Sequence, residues 1–342
     1  MHDAALKINM EEQTGLEPRF QQPPTWRWHQ FQRNGRTLRF GSAFPQGTVP
    51  DAIVICLPGL SEFAEKYFEV ANYCLGRNLG FWIFDWAGQG KSSRYFENDP
   101  HKRHSDGFDE DVEDLYKFFT DYVKYASVHP DKGRIAPVML AHSMGANIGM
   151  HFLHKYPDIF EAAAFTAPMF GLKATQNIPA PIDTLASGLL SFFSGKKYAP
   201  GGDDWSFETR TNPNFHVFSS DPSRSAIHNY WCKVDLELQC GFVTHKWVHE
   251  AIKSCNAIQN KSLLRDIHTN CLFATAGIEE FVQNKAIHKV AAYLDNVKLL
   301  DYPESRHEIL MERDEIRNDF LEHFYKQVKE CVIDRPETLK PF

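Results

Sequence analysis

Six short apolar runs, at residues 53–57, 81–85, 138–141, 162–166, 271–276 and 297–300, are separated by stretches of helical periodicity. No other feature narrows so far the folds open to this chain. A strand covered on both faces is apolar without interruption, and strands joined through helices run parallel. The pattern therefore predicts an α/β fold, a mostly parallel central sheet with helices on both faces. Val112, Leu115, Tyr116, Phe119, Tyr122 and Val123 recur at steps of three and four, as do Ile316, Phe320 and Phe324, which places each set on the core-facing stripe of a helix. Ahead of the runs, residues 26–31 and 37–44 read as strands flanking Asn34-Gly35, the dipeptide best suited to a tight hairpin. The sheet is expected to begin antiparallel.

Between Pro168 and about Asp266 the alternation stops. Pro and Gly punctuate the segment, Trp205, Trp231 and Trp247 fall within it, and it shows no clear buried strand. The expected division is a lead-in over residues 1–25, a core over 26–168, an inserted helical cap over 169–266, and the rest of the core over 267–342. Within the cap, Ile182, Leu185, Ala186, Leu189, Leu190 and Phe193 form one helical stripe. Two readings stand side by side: a surface that covers a site or touches lipid, or a buried packing face.

Composition excludes several classes of function. A net charge of −7 and the absence of any basic run argue against a nucleic-acid partner, which needs clustered Lys and Arg. Seven cysteines form no C-x-x-C pair, which favours reduced thiols and a cytoplasmic location. Residues 1–12 lack the basic segment and apolar core of a signal peptide. The longest apolar stretches fall far below the roughly 20 residues of a membrane span, so any membrane contact, at the inner face, is expected to be peripheral and through the cap.

The chemistry concentrates in Val138-Met139-Leu140-Ala141-His142-Ser143-Met144-Gly145-Ala146-Asn147, a strand, a tight turn and a helix with Ile148, His151 and Phe152 on one side. A serine in such an elbow sits in a strained turn whose neighbours must be small, because the helix packs closely on the strand. Gly145 and Ala141 meet that need, Ala141 standing where glycine is usual. A serine hydroxyl is a weak nucleophile, so a base and an acid must follow it in the chain. His307 lies in the loop after the last apolar run and ahead of the last helix, the only one of sixteen histidines so placed. The loop after residues 271–276 carries Glu279 and Glu280, either of which could fix the tautomer of His307. Two backbone N–H groups must receive the oxyanion. One is that of Met144, and the other that of Leu60, which Gly59 would aim from the loop after residues 53–57. Losing such a donor costs about 3 to 4 kcal/mol of transition-state stabilisation.

With these pieces in order, the chain resembles the monoacylglycerol lipase and lysophospholipase group of α/β-hydrolases, bacterial lysophospholipase L2-like proteins among them, over about residues 26 to 328. Pro58-Gly59-Leu60-Ser61-Glu62-Phe63-Ala64-Glu65-Lys66-Tyr67 is similar to the group's His-Gly-x-x-Glu-His-x-x-Arg-Tyr. Asp85-Trp86-Ala87-Gly88-Gln89-Gly90-Lys91-Ser92 is similar to its Asp-x-Arg-Gly-x-Gly-x-Ser, and Arg306-His307-Glu308-Ile309-Leu310 also matches. The resemblance implies the α/β-hydrolase fold and a carboxylic-ester hydrolase acting on single-acyl lipids without cofactor or metal. It makes Ser143 the nucleophile, His307 the base, Glu279 the acid where the group usually has Asp, and Leu60 with Met144 the oxyanion donors. Pro58 and Ala87 replace a His and an Arg of the group and remove polar groups beside the site.

Other patterns carry less. Gly88-Gln89-Gly90-Lys91-Ser92 would need glycine at position 85 to be a phosphate loop, and that residue is Asp85. His245 and His249 have helical i, i+4 spacing but lack the Glu that follows the first His in H-E-x-x-H and have no evident third zinc ligand, so a cap helix accounts for them. His216-x4-Asp221 resembles the His-x4-Asp of glycerolipid acyltransferases, a pattern short enough to arise by chance. The rival functions are an amidase, lactonase or esterase on a small substrate, and a non-catalytic binding protein on the same scaffold.

Overall fold

A computed structural model of the protein describes residues 15–208 and 218–336; His216 and residues 1–12 lie outside them. The hairpin of β1 (Arg27–Arg33) and β2 (Arg36–Ala43) turns through Asn34 and Gly35, at φ of 50° and 74°. Both central residues of such a turn need positive φ, which is why this dipeptide occupies it. Each of the six apolar runs is one strand, with ends within two residues of the expected ones: β3 (Ala52–Leu57), β4 (Leu79–Phe84), β5 (Pro137–His142), β6 (Ala162–Thr166), β7 (Asn270–Ala276) and β8 (Val297–Tyr302). The sheet order is β1-β2-β4-β3-β5-β6-β7-β8. Its first two pairings are antiparallel and the rest parallel. Strands β3 to β6 are buried throughout, whereas the edge strand β8 is partly open.

Helices α1 (Phe68–Leu75), α2 (Phe108–Phe118), α3 (Met144–Lys155), α7 (Asn284–Ala291) and α8 (Asp314–Val328) flank this sheet. On α2 and its continuation, Val112, Leu115, Phe119 and Val123 are buried, and on α8 so are Ile316, Phe320 and Phe324. Phe118 meets the rings of Phe31, Phe40 and Phe84 at 5.9, 5.1 and 5.0 Å, tying α2 to the hairpin through edge and offset contacts.

Between β6 and β7 lie the longer helices α4 (Ala180–Ser194), α5 (Pro222–Val234) and α6 (His245–Ile258), a short helical turn at Lys261–Leu264, and no strand among the described residues. The apolar stripe on α4 is not a packing face. Leu185 is 67% exposed and Phe193 80%, and Ile182, Leu189 and Leu190 are open as well. The buried side of α4 is the polar one, carrying Asp183 and Ser187. Hydrogen bonds explain the inversion. Ser187 Oγ lies 3.0 Å from His249 Nδ1, Ser194 Oγ 2.6 Å from His245 Nδ1, and Asn256 Nδ2 donates to Asp183 at 3.2 Å. The seam with α6 is polar, so the apolar side is left outward. His245 and His249 serve this seam, and among the described residues no cluster of His, Cys, Asp and Glu could hold a metal.

Candidate active site

Strands β3 and β5 are parallel neighbours, with Leu57 opposite Ala141, so the chain leaves both at one edge of the sheet. After β5, Ser143 takes φ 49° and ψ −112°, and its N–H donates to the Thr166 carbonyl at 3.0 Å. Such a φ is strained for a residue with a side chain and projects the hydroxyl off the end of the strand. A Cβ on Gly145 would lie 2.2 Å from the Leu57 carbonyl oxygen and 2.6 Å from that of Pro58. Only glycine lets α3 start this close to β3. Ala141, by contrast, is accommodated fully buried within β5.

His307 arrives from the loop after β8, and Glu279 from the loop after β7. These loops are zipped together: Gly277 N–H donates to Tyr302 at 2.9 Å and Ile278 N–H to Ser305 at 2.9 Å. A Cβ on Gly277 would meet Pro303 backbone at 2.2 Å. The result is a continuous line in which Ser143 Oγ lies 3.0 Å from His307 Nε2 and Glu279 Oε2 lies 2.7 Å from His307 Nδ1. The other Glu279 oxygen accepts from the amides of Phe281 at 2.7 Å and Val282 at 3.3 Å. Burial opposes ionisation of Glu279, yet the imidazole and these amides outweigh it and hold the carboxyl below the usual carboxylate range. Burial likewise opposes a charge on His307, and the carboxylates of Glu279, Glu308 and Glu62 outweigh it, raising the imidazole above its ordinary value. Glu280 is exposed and pairs with Lys173 at 3.0 Å. Of the two acidic residues in the loop, the structure brings Glu279 to His307.

Leu60 and Met144 stand three residues beyond Leu57 and Ala141, past the ends of adjacent strands. The loop carrying Leu60 is held from several sides. Gln89 Nε2 donates to the carbonyls of Gly59 at 2.8 Å and Glu62 at 2.7 Å, and its oxygen accepts from Ser61 N–H at 3.0 Å. Gln89 belongs to the Gly88–Gly90 turn. There a Cβ on Gly90, at φ 56°, would come within 2.2 Å of Asp85, and Asp85 accepts from Ala64 N–H at 2.9 Å. The motif that superficially resembles a phosphate loop is thus a brace for the Leu60 loop. Sequence reasoning missed Gln89, His142, Glu62, Lys66 and Glu308, all of which are buried around the site. The only signal for Gln89, Glu62, Lys66 and Glu308 was membership of the three motifs that carry the family resemblance, and for His142 its place beside the elbow serine.

An elbow serine, a histidine and a carboxylate in hydrogen-bonded series can activate the hydroxyl and stabilise an imidazolium. With the eight-stranded sheet this defines the class: a serine hydrolase of α/β-hydrolase fold. The profile of the serine aminopeptidase S33 family matches residues 48–314, and the chain belongs to that family. It is 29% identical to lysophospholipase L2 of Escherichia coli K12 over 278 residues, 78% of this chain and 77% of that protein. Two solved structures share the fold. A soluble variant of monoglyceride lipase from Saccharomyces cerevisiae, bound to a substrate analog, gives a TM-score of 0.69 at 14% identity, covering 91% of this chain and 96% of that one. A thermostable carboxyl esterase from Bacillus coagulans gives 0.71 at 17% identity, covering 90% and 99%.

Proposed function

We propose that this chain hydrolyses the carboxylic ester of single-acyl lipids, lysophospholipid or monoacylglycerol, through an acyl-enzyme on Ser143. The observation that carries the reading is the Ser143–His307–Glu279 line. His307 Nε2 takes the hydroxyl proton as Ser143 Oγ attacks the carbonyl, and Glu279 steadies the imidazolium. The oxyanion is received by the N–H groups of Leu60 and Met144. His307 then gives its proton to the departing glycerol oxygen. Water, deprotonated by the same imidazole, attacks the acyl-enzyme and releases the fatty acid. Side chains, amides and water complete the cycle, so no cofactor or metal is called for.

Residues 169–266 act in this reading as a cap on a core formed by 26–168 and 267–342. The outward apolar side of α4, followed by exposed Lys196 and Lys197, supports peripheral docking on a lipid surface that holds such substrates. No helix among the described residues is long and apolar enough to cross a membrane. The seven cysteines are free, which supports a reducing compartment, the cytoplasm, and docking at the inner membrane face. The family description as an aminopeptidase favours an amide as the second substrate class.

The deciding experiment follows hydrolysis of lysophosphatidylcholine, monoacylglycerol, a short nitrophenyl ester and an anilide by wild type and Ser143→Ala. Turnover of a single-acyl lipid that Ser143→Ala lowers by at least about three orders of magnitude is expected. Turnover of the short ester alone would discard the lipid assignment, and of the anilide alone the ester. Absence of any Ser143-dependent turnover would revive the binding-protein reading.

A further inference from the structure

Three charged side chains buried under the site have no part in the route above. Glu62 follows β3 in the Leu60 loop, Lys66 lies in the turn just before α1, and Glu308 is the neighbour of His307. Lys66 has a side-chain exposure of 0%, and its Nζ sits 2.6 Å from Glu62 Oε1 and 2.7 Å from Glu308 Oε1. The second oxygen of Glu62 accepts from the Gly59 N–H and from the Tyr67 hydroxyl, each at 2.5 Å. One ammonium thus joins two loops that come from opposite ends of the chain, and Glu62 reaches the residue before the Leu60 amide.

Stability alone does not call for such a triplet, since apolar side chains of similar volume can hold a fold as well or better. What apolar side chains cannot do is accept the Gly59 N–H or leave an excess negative charge near His307. The groups facing His307 are Glu279 from the loop after β7, Glu308 from its own loop, Glu62 from the loop after β3, and His142 from β5. The His142 ring lies 4.8 Å from that of His307, and burial pushes it down to about 4. It is neutral at working pH and adds no charge to that of the Lys66, Glu62 and Glu308 triplet.

We propose that Lys66 is a positioning residue which, through Glu62 and Glu308, locks the oxyanion-donor loop to the His307 loop and leaves one net negative charge to favour the imidazolium. The inference rests on the roles given above to Ser143, His307 and Leu60. As the imidazolium forms, the donor loop and the imidazole must hold their mutual geometry, and a shared ammonium holds both from one point.

The test measures kcat, KM and the pH dependence of kcat/KM on the short nitrophenyl ester for Lys66→Met, Lys66→Arg and Glu308→Gln, with Ser143→Ala alongside. Lys66→Met is expected to lower kcat about tenfold or more with KM within about twofold, because donor alignment acts on the transition state. Lys66→Arg, which can still span both carboxylates, is expected to stay within about threefold of wild type. Glu308→Gln removes a carboxylate that raises His307, so the acid limb of the profile should move to lower pH by about half a unit to one unit. If Lys66→Met does not fold, Glu308→Gln, which keeps the Lys66–Glu62 pair, decides alone. An unmoved pH profile for Glu308→Gln, or a Lys66→Met enzyme that loses thermal stability but not kcat, overturns the proposal. Ester turnover that survives Ser143→Ala would instead defeat the Ser143 reading itself.

Discussion

Each role proposed for Ser143, His307 and Glu279 demands a side-chain type at a particular place relative to a strand. The elbow needs small neighbours, and the base and acid need loops at strand ends. Between Glu279 and Glu280 local chemistry offered no preference, since adjacent carboxylates differ only in where the backbone aims them. The structure aims Glu279 at His307 and Glu280 at Lys173. Glu279→Gln should therefore lower kcat by about three to four orders of magnitude, by analogy with loss of the acid in other triads, while Glu280→Gln stays within about twofold. The sign of the pH effect follows from the charges. Without the Glu279 carboxylate, burial pushes His307 down, so the residual activity should show its acid limb at lower pH than wild type. A reversed order of the two variants in a kcat comparison would reassign the acid. Glu62, Lys66 and Glu308 were not legible as a cluster, because a charged residue looks the same in a sequence whether water or a second charge surrounds it.

Strand positions were recovered to within two residues because burial on both faces leaves only apolar residues to choose from. The asymmetry of α4 was not recovered. Periodicity reveals that a helix has an apolar side but not which side meets protein, and here the seam with α6 is made by Ser187, Ser194 and Asp183. Phe192 is 83% exposed and Phe193 80%, so the double change Phe192→Ser, Phe193→Ser should alter unfolding free energy by no more than about 0.5 kcal/mol. The same change should weaken sedimentation with anionic phospholipid vesicles by at least about tenfold, given roughly 1.5 to 3 kcal/mol per buried aromatic side chain. A large loss of stability with unchanged vesicle binding would mean that this face packs against protein.

Across the whole molecule, the segment between β6 and β7 is fastened to the core at several points, among them Arg224 at the start of α5. Its guanidinium meets Glu69 of α1 at 2.8 Å, Asp314 of α8 at 2.5 Å and the Glu312 carbonyl at 2.7 Å. Removing Arg224 leaves the buried Glu69 with only the longer contacts to Arg19 at 3.7 Å and Arg317 at 3.6 Å, so Arg224→Met should cost about 3 kcal/mol in urea unfolding. A cost below about 1 kcal/mol would show that the segment is held elsewhere. By itself, the sequence determined the sheet, its antiparallel start and the tight turn at Ser143, because these follow from burial and backbone conformation, which act locally on residue type. Only the tertiary structure decided which glutamate meets His307, which face of α4 looks outward and which charges are shared beneath the site. Those depend on side chains brought together from distant parts of the chain, and pairing at a distance leaves no periodic trace in the residues themselves.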